Sequence, residues 1–315
     1  MIRRGLLLAL VLALAGCAGS APRGGAPGPA LGLVWAPVDS LDARLPESVR
    51  VYAGVSASDT LRVWAVRLGA GVRLGVEVAE DTTDGREPPT AFAARTGACV
   101  VLNGGYFNME TGAPVGLVVD DGALRSPAFD VVERDGVGYP TARGAVGVAA
   151  DGGAEIAWAR DDGAAPCRLG APLPNRPGAP AGAVPACEPW AVAEAVGAGP
   201  VLVRDGRVAV ATEAEVFFGS SIPDRHPRSA VGVAADGAVW LAVVDGRQPL
   251  SRGVTLEELA ALMRALGAVD ALNLDGGGSS ALVVRPRGGA PVRLNLPTGY
   301  DVEREVSTAL AAFCD

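Results

Sequence analysis

The chain has 315 residues, 49% of them hydrophobic, and a formal net charge of −8. That is enough for one large or two ordinary domains, and the wrong sign for a nucleic-acid-binding surface. All 27 basic residues are arginines, which excludes a Walker A loop and a Schiff-base lysine; the single histidine, His226, excludes HExxH and other His-rich metal sites.

Residues 1–17 read as an export signal. Arg3 and Arg4 form a basic start, and the apolar run 6–14 is too short to cross a bilayer. The run ends in Leu14-Ala15-Gly16-Cys17, which resembles a bacterial lipobox. That resemblance implies cleavage before Cys17 and lipidation of its thiol. The expected location is therefore an exported, lipid-anchored one, on the outer membrane if the host has two, since Ala18 rather than Asp follows the cysteine. Residues 18–45 are rich in Gly, Ala and Pro and read as a flexible tether. The folded domain is expected over 46–315.

Apolar alternation predicts strands over 49–55, 61–68 and 72–79, then a polar loop over 81–89 and a short helix over 89–97. A buried strand at 99–102 opens into Asn103-Gly104-Gly105-Tyr106-Phe107. Asn103 there is either an Asx cap or a contact to a sugar or phosphate, with Tyr106 or Phe107 as a stacking wall. An internal repeat follows. Residues 143–152 read RGAVGVAADG and residues 228–237 read RSAVGVAADG. Each is a strand, an Asp-Gly turn and a second strand, and each is preceded by a similar unit, GLVVDDGALR and GPVLVRDGRVA. The pattern predicts a pseudo-symmetric core of hairpins.

Between the copies, residues 166–189 have the Pro- and Gly-dense composition of a loop insertion, bracketed by Cys167 and Cys187. In an exported chain that pair suggests a disulfide, with Cys99 and Cys314 as a second pair, although four cysteines allow three connectivities. The segment Arg225-His226-Pro227-Arg228 offers guanidiniums to a phosphate or carboxylate; His226 is given no catalytic role. A strand over 239–244 delivers Asp245-Gly246-Arg247, and Thr255-Leu256-Glu257-Glu258 is a capping box that starts a helix.

That helix feeds residues 271–282, ALNLDGGGSSAL. A short buried strand presents Asp275 beside Gly276, Gly277 and Gly278, with Ser279 and Ser280 following. Successive amides in such a turn can form an anion-binding nest. A hairpin over 282–296 and a last strand over 306–313 close the chain.

NGGYFNMETG at 103–112, PRSAVG at 227–232, DGR at 245–247, NLDGGGSSAL at 273–282 and REVSTAL at 304–310 together resemble the phosphodiester glycosidase family, in order and spacing, over roughly 99–313. The resemblance implies an α+β fold with twisted, largely antiparallel sheets and few helices. It implies a glycosidase that removes an N-acetylglucosamine-like sugar from a sugar-1-phosphodiester or phosphorylated glycan of the cell envelope; no cofactor and no metal-ligating residue is expected, and the sequence leaves a structural metal open. A phosphate leaving group needs anion stabilisation more than protonation, and the oxocarbenium needs a carboxylate. Asp275 is then the first candidate for nucleophile or base. Asp245 is expected as partner acid or as the residue that orients Arg228, and Arg228 as the catalytic cation. Asn103, Gly104, Gly105, Tyr106, Arg143, Gly276, Gly277, Gly278 and Ser279 are the expected substrate contacts. The rival classes are a non-catalytic envelope lipoprotein that binds phosphorylated glycans, and a metal-dependent phosphodiesterase, against which the scarcity of His and of clustered Asp counts.

Overall fold

Alternating side chains give each strand two faces, and the chain uses both. In Leu61–Leu68, Leu61, Val63 and Ala65 pack under the helix Leu256–Ala265, whereas Val66 and Leu68 enter the largest core, which lies between sheets. The computed structural model describes residues 25–298, apart from Ala57 and Asp59, and residues 302–314. The signal segment and Cys17 lie outside the described residues.

The strands form an eight-stranded, a seven-stranded and a five-stranded sheet plus one separate hairpin, with antiparallel pairing throughout. Strand accounts for 40% of the structure and helix for 9%, so the α+β expectation is corrected: the fold is β-rich. The reason is physical. Asp39–Asp42, Pro89–Thr96 and Leu256–Ala265 have 4, 8 and 10 residues, too few to build a helical layer. The large core is closed by sheet against sheet, with Val146, Ile156 and Trp158 from one meeting Val231, Leu241 and Leu272 from the other.

Thr255 caps the longest helix as a capping box with Glu258. Ordered structure begins earlier than the Gly/Ala/Pro composition indicates: Val34–Pro37 pairs with Val49–Ser56 inside the stretch read as a tether. The ends of the Pro-rich insertion are also tied in, as the edge strands Pro166–Leu169 and Glu188–Pro189. An edge is where a strand can carry proline without losing a needed N–H. Cys167 joins Cys187 across this insertion, and Cys99 joins Cys314 beside the paired strands Val100–Asn103 and Thr308–Phe313.

The repeat is a repeated frame. Arg143–Val148 lies between Ala154–Asp161 and Glu194–Gly197; Arg228–Ala234 lies between Val239–Val244 and Ala268–Asn273. The Asp-Gly turns that precede the two frames have positive φ at both residues, Asp121 (49°) with Gly122 (71°) and Asp205 (50°) with Gly206 (70°), the geometry that suits a right-twisted hairpin, whereas Asp151-Gly152 and Asp236-Gly237 have it at the glycine alone (88° and 77°).

One buried carboxylate, which no sequence motif marks, clamps the two frames together. Glu215 accepts from Gly144 N–H (2.8 Å) and Trp158 Nε1–H (2.9 Å) on one sheet and from Val201 N–H (2.8 Å) on the other. Burial pushes its pKa from 4.5 up to about 7, against the pull of those hydrogen bonds. Native Glu215 therefore holds its proton to higher pH than the unfolded chain. The stability this contributes is full below about pH 4.5 and is lost as pH rises through about 7. Glu215→Ala, which strands three buried donors, is expected to cost about 3–5 kcal/mol in denaturant melts. Glu215→Gln should flatten the pH dependence of stability between pH 4.5 and 7.

Candidate active site

The strand Ala268–Asn273 runs into Leu274 and Asp275, and a single 3-10 turn, Gly277–Ser279, follows. Gly277 takes φ +62°, a conformation that favours glycine, and a side chain on Gly278 would lie 2.6 Å from the Arg304 guanidinium and displace it. The turn forms one wall of a cleft of about 180 Å³, completed by Tyr106, Ile222, His226, Arg228, Arg247 and Arg304. Among the described residues Asp275 is the sole carboxylate lining it. Burial raises its pKa to about 6, moderated by hydrogen bonds from Ser279 and from Gly276 N–H (2.9 Å).

Three guanidiniums line the cleft with this acid. Arg228 is at the buried floor, where Nη2 donates to the carbonyls of Ile222 (2.7 Å) and Asp224 (2.5 Å) and Nε to that of Val254 (3.3 Å). Burial lowers its pKa to about 10, so it stays charged at neutral pH. Arg247 and Arg304 stand at the exposed rim. Arg247 donates to His226 Nδ1 (2.8 Å) and Arg304 to Ser279 Oγ (3.4 Å). Among the described residues none of the three has a carboxylate within ion-pair distance. The lining thus carries a formal charge of about +2, three cations against one anion.

The structure gathers only part of the expected site. Asp275, Arg228, Tyr106 and Gly276–278 share the cleft. Asp245 does not: it faces a separate cleft of about 300 Å³ beside Trp64, Arg62, Leu294 and Leu296, where it accepts from Asn295 Nδ2 (3.2 Å). Arg143, the twin of Arg228, is stacked between Phe217 (4.2 Å) and Phe129 (5.2 Å) and donates to Glu215 O. The glycine turn is not a bare nest either, since Gly276 N–H is taken by Asp275 and Gly277 N–H by Pro227 O (2.9 Å).

Asn103 lies behind the cleft wall, fully buried. Its Nδ2 donates to Asp275 O (2.8 Å), and its Oδ1 accepts from Ser229 Oγ (2.6 Å) and Ala281 N–H (3.1 Å). Gly104 and Gly105 sit beside it; Gly104 O accepts from Asp275 N–H (3.1 Å), and Gly105 N–H reaches Thr308 Oγ1 (3.2 Å). Ser279 links Arg304 to Asp275 from behind. The Tyr106 hydroxyl donates to Gly199 O (2.7 Å) and accepts from Asn273 Nδ2 (3.0 Å), leaving the ring edge at the cleft. Arg247 and Arg304 are the cleft residues that sequence reading passed over, although they end the DGR and begin the REVSTAL segments. No group of three His, Cys, Asp or Glu side chains with metal-binding geometry occurs among the described residues.

A β-rich frame with one acid set among unpaired arginines defines a site for an anionic substrate. The chain belongs to the phosphodiester glycosidase family, whose model matches residues 96–313. By fold it is similar to a hypothetical protein from Synechocystis, with TM-score 0.63 and 20% identity over 85% of this chain and 62% of that one. It is also similar to the catalytic domain of zebrafish N-acetylglucosamine-1-phosphodiester α-N-acetylglucosaminidase, a structure auto-inhibited by its pro-peptide, with TM-score 0.56 and 20% identity over 90% and 83% of the two chains. A 60-residue stretch is 42% identical to the SPβ prophage-derived uncharacterized protein YomE of Bacillus subtilis (strain 168), covering 19% of this chain and 9% of YomE. The chain therefore spans under two thirds of the length of the Synechocystis and Bacillus relatives.

Asn103→Ala strands an Asp275 carbonyl, a serine hydroxyl and an amide together. It is expected to lower stability by about 2–4 kcal/mol, read from denaturant midpoints.

Proposed function

We propose that the protein is a hydrolase that removes an N-acetylglucosamine-like sugar from a sugar-1-phosphodiester of the cell envelope, leaving a phosphomonoester. The observation that carries this reading is the charge in the cleft, Asp275 opposite Arg228, Arg247 and Arg304 without acidic partners among the described residues. When the anomeric C–O bond breaks, its electron pair goes to the phosphate oxygen. A monoanionic phosphodiester then departs as a dianionic phosphomonoester. A lining of about +2 complements the departing dianion better than the bound monoanion, which is the condition for lowering the barrier. The sugar carbon gains positive charge, and Asp275 supplies the carboxylate, as nucleophile or as base toward water. Because the phosphate leaves without a proton donor, the reaction does not need a second acid, and Asp245 can serve elsewhere.

Export and lipid anchoring through Cys17 belong to the same proposal. Cys17→Ala should release the protein from the membrane fraction.

Asp275 must be ionised to act, so kcat/KM is expected to rise as pH increases through about 6. Asp275→Asn should lower kcat by on the order of 10³. It should also raise Tm at pH 7.5, because it removes a charge that burial disfavours. Hydrolysis of a sugar-1-phosphodiester in ¹⁸O-water should label the sugar. Label in the phosphate would instead mean P–O cleavage, and binding without turnover would mean a glycan-binding protein. The phosphomonoester product should inhibit competitively, more strongly than an equally sized phosphodiester.

A further inference from the structure

The lone histidine lies on the wall of the cleft and has no part in the reaction as proposed. Its ring nitrogens nevertheless have fixed duties. Arg247 Nη2 lies 2.8 Å from Nδ1. A guanidinium can only donate, so Nδ1 must be the unprotonated acceptor. Nε2 lies 2.7 Å from the Ser221 carbonyl oxygen, which can only accept, so Nε2 must carry the proton. Both ends select the same neutral tautomer. A doubly protonated ring would set an N–H against a guanidinium.

Both partners rest on rigid backbone. His226 pairs with Val254 in both directions, N–H to O at 3.2 Å and O to N–H at 3.0 Å. Arg247 has φ +55°, in the left-handed region that a side chain seldom adopts. The loop that bears it is pressed onto Pro227: a side chain on Gly246 would lie 2.7 Å from Pro227 N. In this position the Arg247 guanidinium covers Gly277, with Nη1 3.5 Å from where a β-carbon would sit.

We infer that His226 is a positioning residue, whose neutral imidazole holds the Arg247 guanidinium over Gly277 to grip the substrate phosphate; the inference rests on the phosphodiester reading above. Burial first, and then the charges of Arg228 and Arg247, lower the His226 pKa below 6.5, against the hydrogen bond to Ser221 and the charge of Asp224. Both effects favour the neutral imidazole at pH 7.5, where Asp275 is ionised. An imidazole serves here better than a carboxylate, because it orients the guanidinium without cancelling its charge.

Because the chain has one histidine, a long-range ¹H–¹⁵N spectrum of the full chain reports this ring without assignment. At pH 7.5 the Nε2–H tautomer is expected, and Arg247→Met should raise the ring's titration midpoint. His226→Leu should weaken binding of inorganic phosphate about tenfold, the worth of one charge-assisted hydrogen bond, and raise KM for a sugar-1-phosphodiester more than it lowers kcat. His226→Asn, which keeps an acceptor near Nδ1, should restore both to within about threefold of wild type. An Nδ1–H tautomer, or phosphate affinity unchanged in both His226→Leu and Arg247→Met, would overturn the inference. Should these binding results hold while the wild-type protein turns over no sugar-1-phosphodiester, the positioning role stands and the proposed reaction falls.

Discussion

A single buried amide, that of Asn103, holds the site in register. It spans three segments that are far apart in sequence: the end of Val100–Asn103 in the five-stranded sheet, Ser229 in the eight-stranded sheet, and the turn at Asp275 and Ala281. Its donor and acceptor groups fit only an amide; an acid or an apolar isostere would leave at least one partner stranded. The direction in which Asp275 points follows from this joint. Its carbonyl and N–H are tied down, to Asn103 and Gly104, and the side chain is left to face the cleft.

The electrostatics follow a consistent rule. Each cleft arginine is oriented by neutral acceptors: backbone carbonyls for Arg228, an imidazole for Arg247, a hydroxyl for Arg304. Neutral acceptors fix direction and leave the full charge for a ligand, whereas a salt bridge would fix direction and spend the charge. Elsewhere in the molecule arginines meet acids in the ordinary way, as Arg225 and Arg252 do with Glu258. Not all do, since Arg134 and Arg285 also rest on carbonyls; what marks the cleft is that three such arginines line it together.

Much of this was legible in sequence because local signals carried it. The alternation LRVWAVRL gave Leu61–Leu68, the capping box gave the start of Leu256–Ala265, and the Asp-Gly pairs gave the hairpins. The cluster of Asp275 with the glycines and Arg228 was visible as motifs. Illegible was whatever depends on direction across space. Asp245 and Arg247 are two residues apart, yet they look into different clefts, because the chain turns sharply through a left-handed Arg247. Asn103 read as a ligand contact because an amide beside glycines looks the same whether its partners are a sugar or two backbone groups and a serine hydroxyl. Glu215 gave no signal, since its partners come from three separate strands.

The duplicated frame has an asymmetry that the strand register makes explicit. Ala145 stands opposite Gly197 in one copy, and Ala230 opposite Asn273 in the other. Counting two residues onward, the counterpart of Asp275 is Gly199. That position has φ +117° and is crowded by Glu215 and Phe217, so no side chain fits there. The Gly199 carbonyl instead receives Tyr106 and Asn273, so this half braces the wall of the cleft that the other half opens. One architecture thus appears twice, and its copies part at a strand end, where one presents a carboxylate to a cleft and the other a glycine with no room for a side chain.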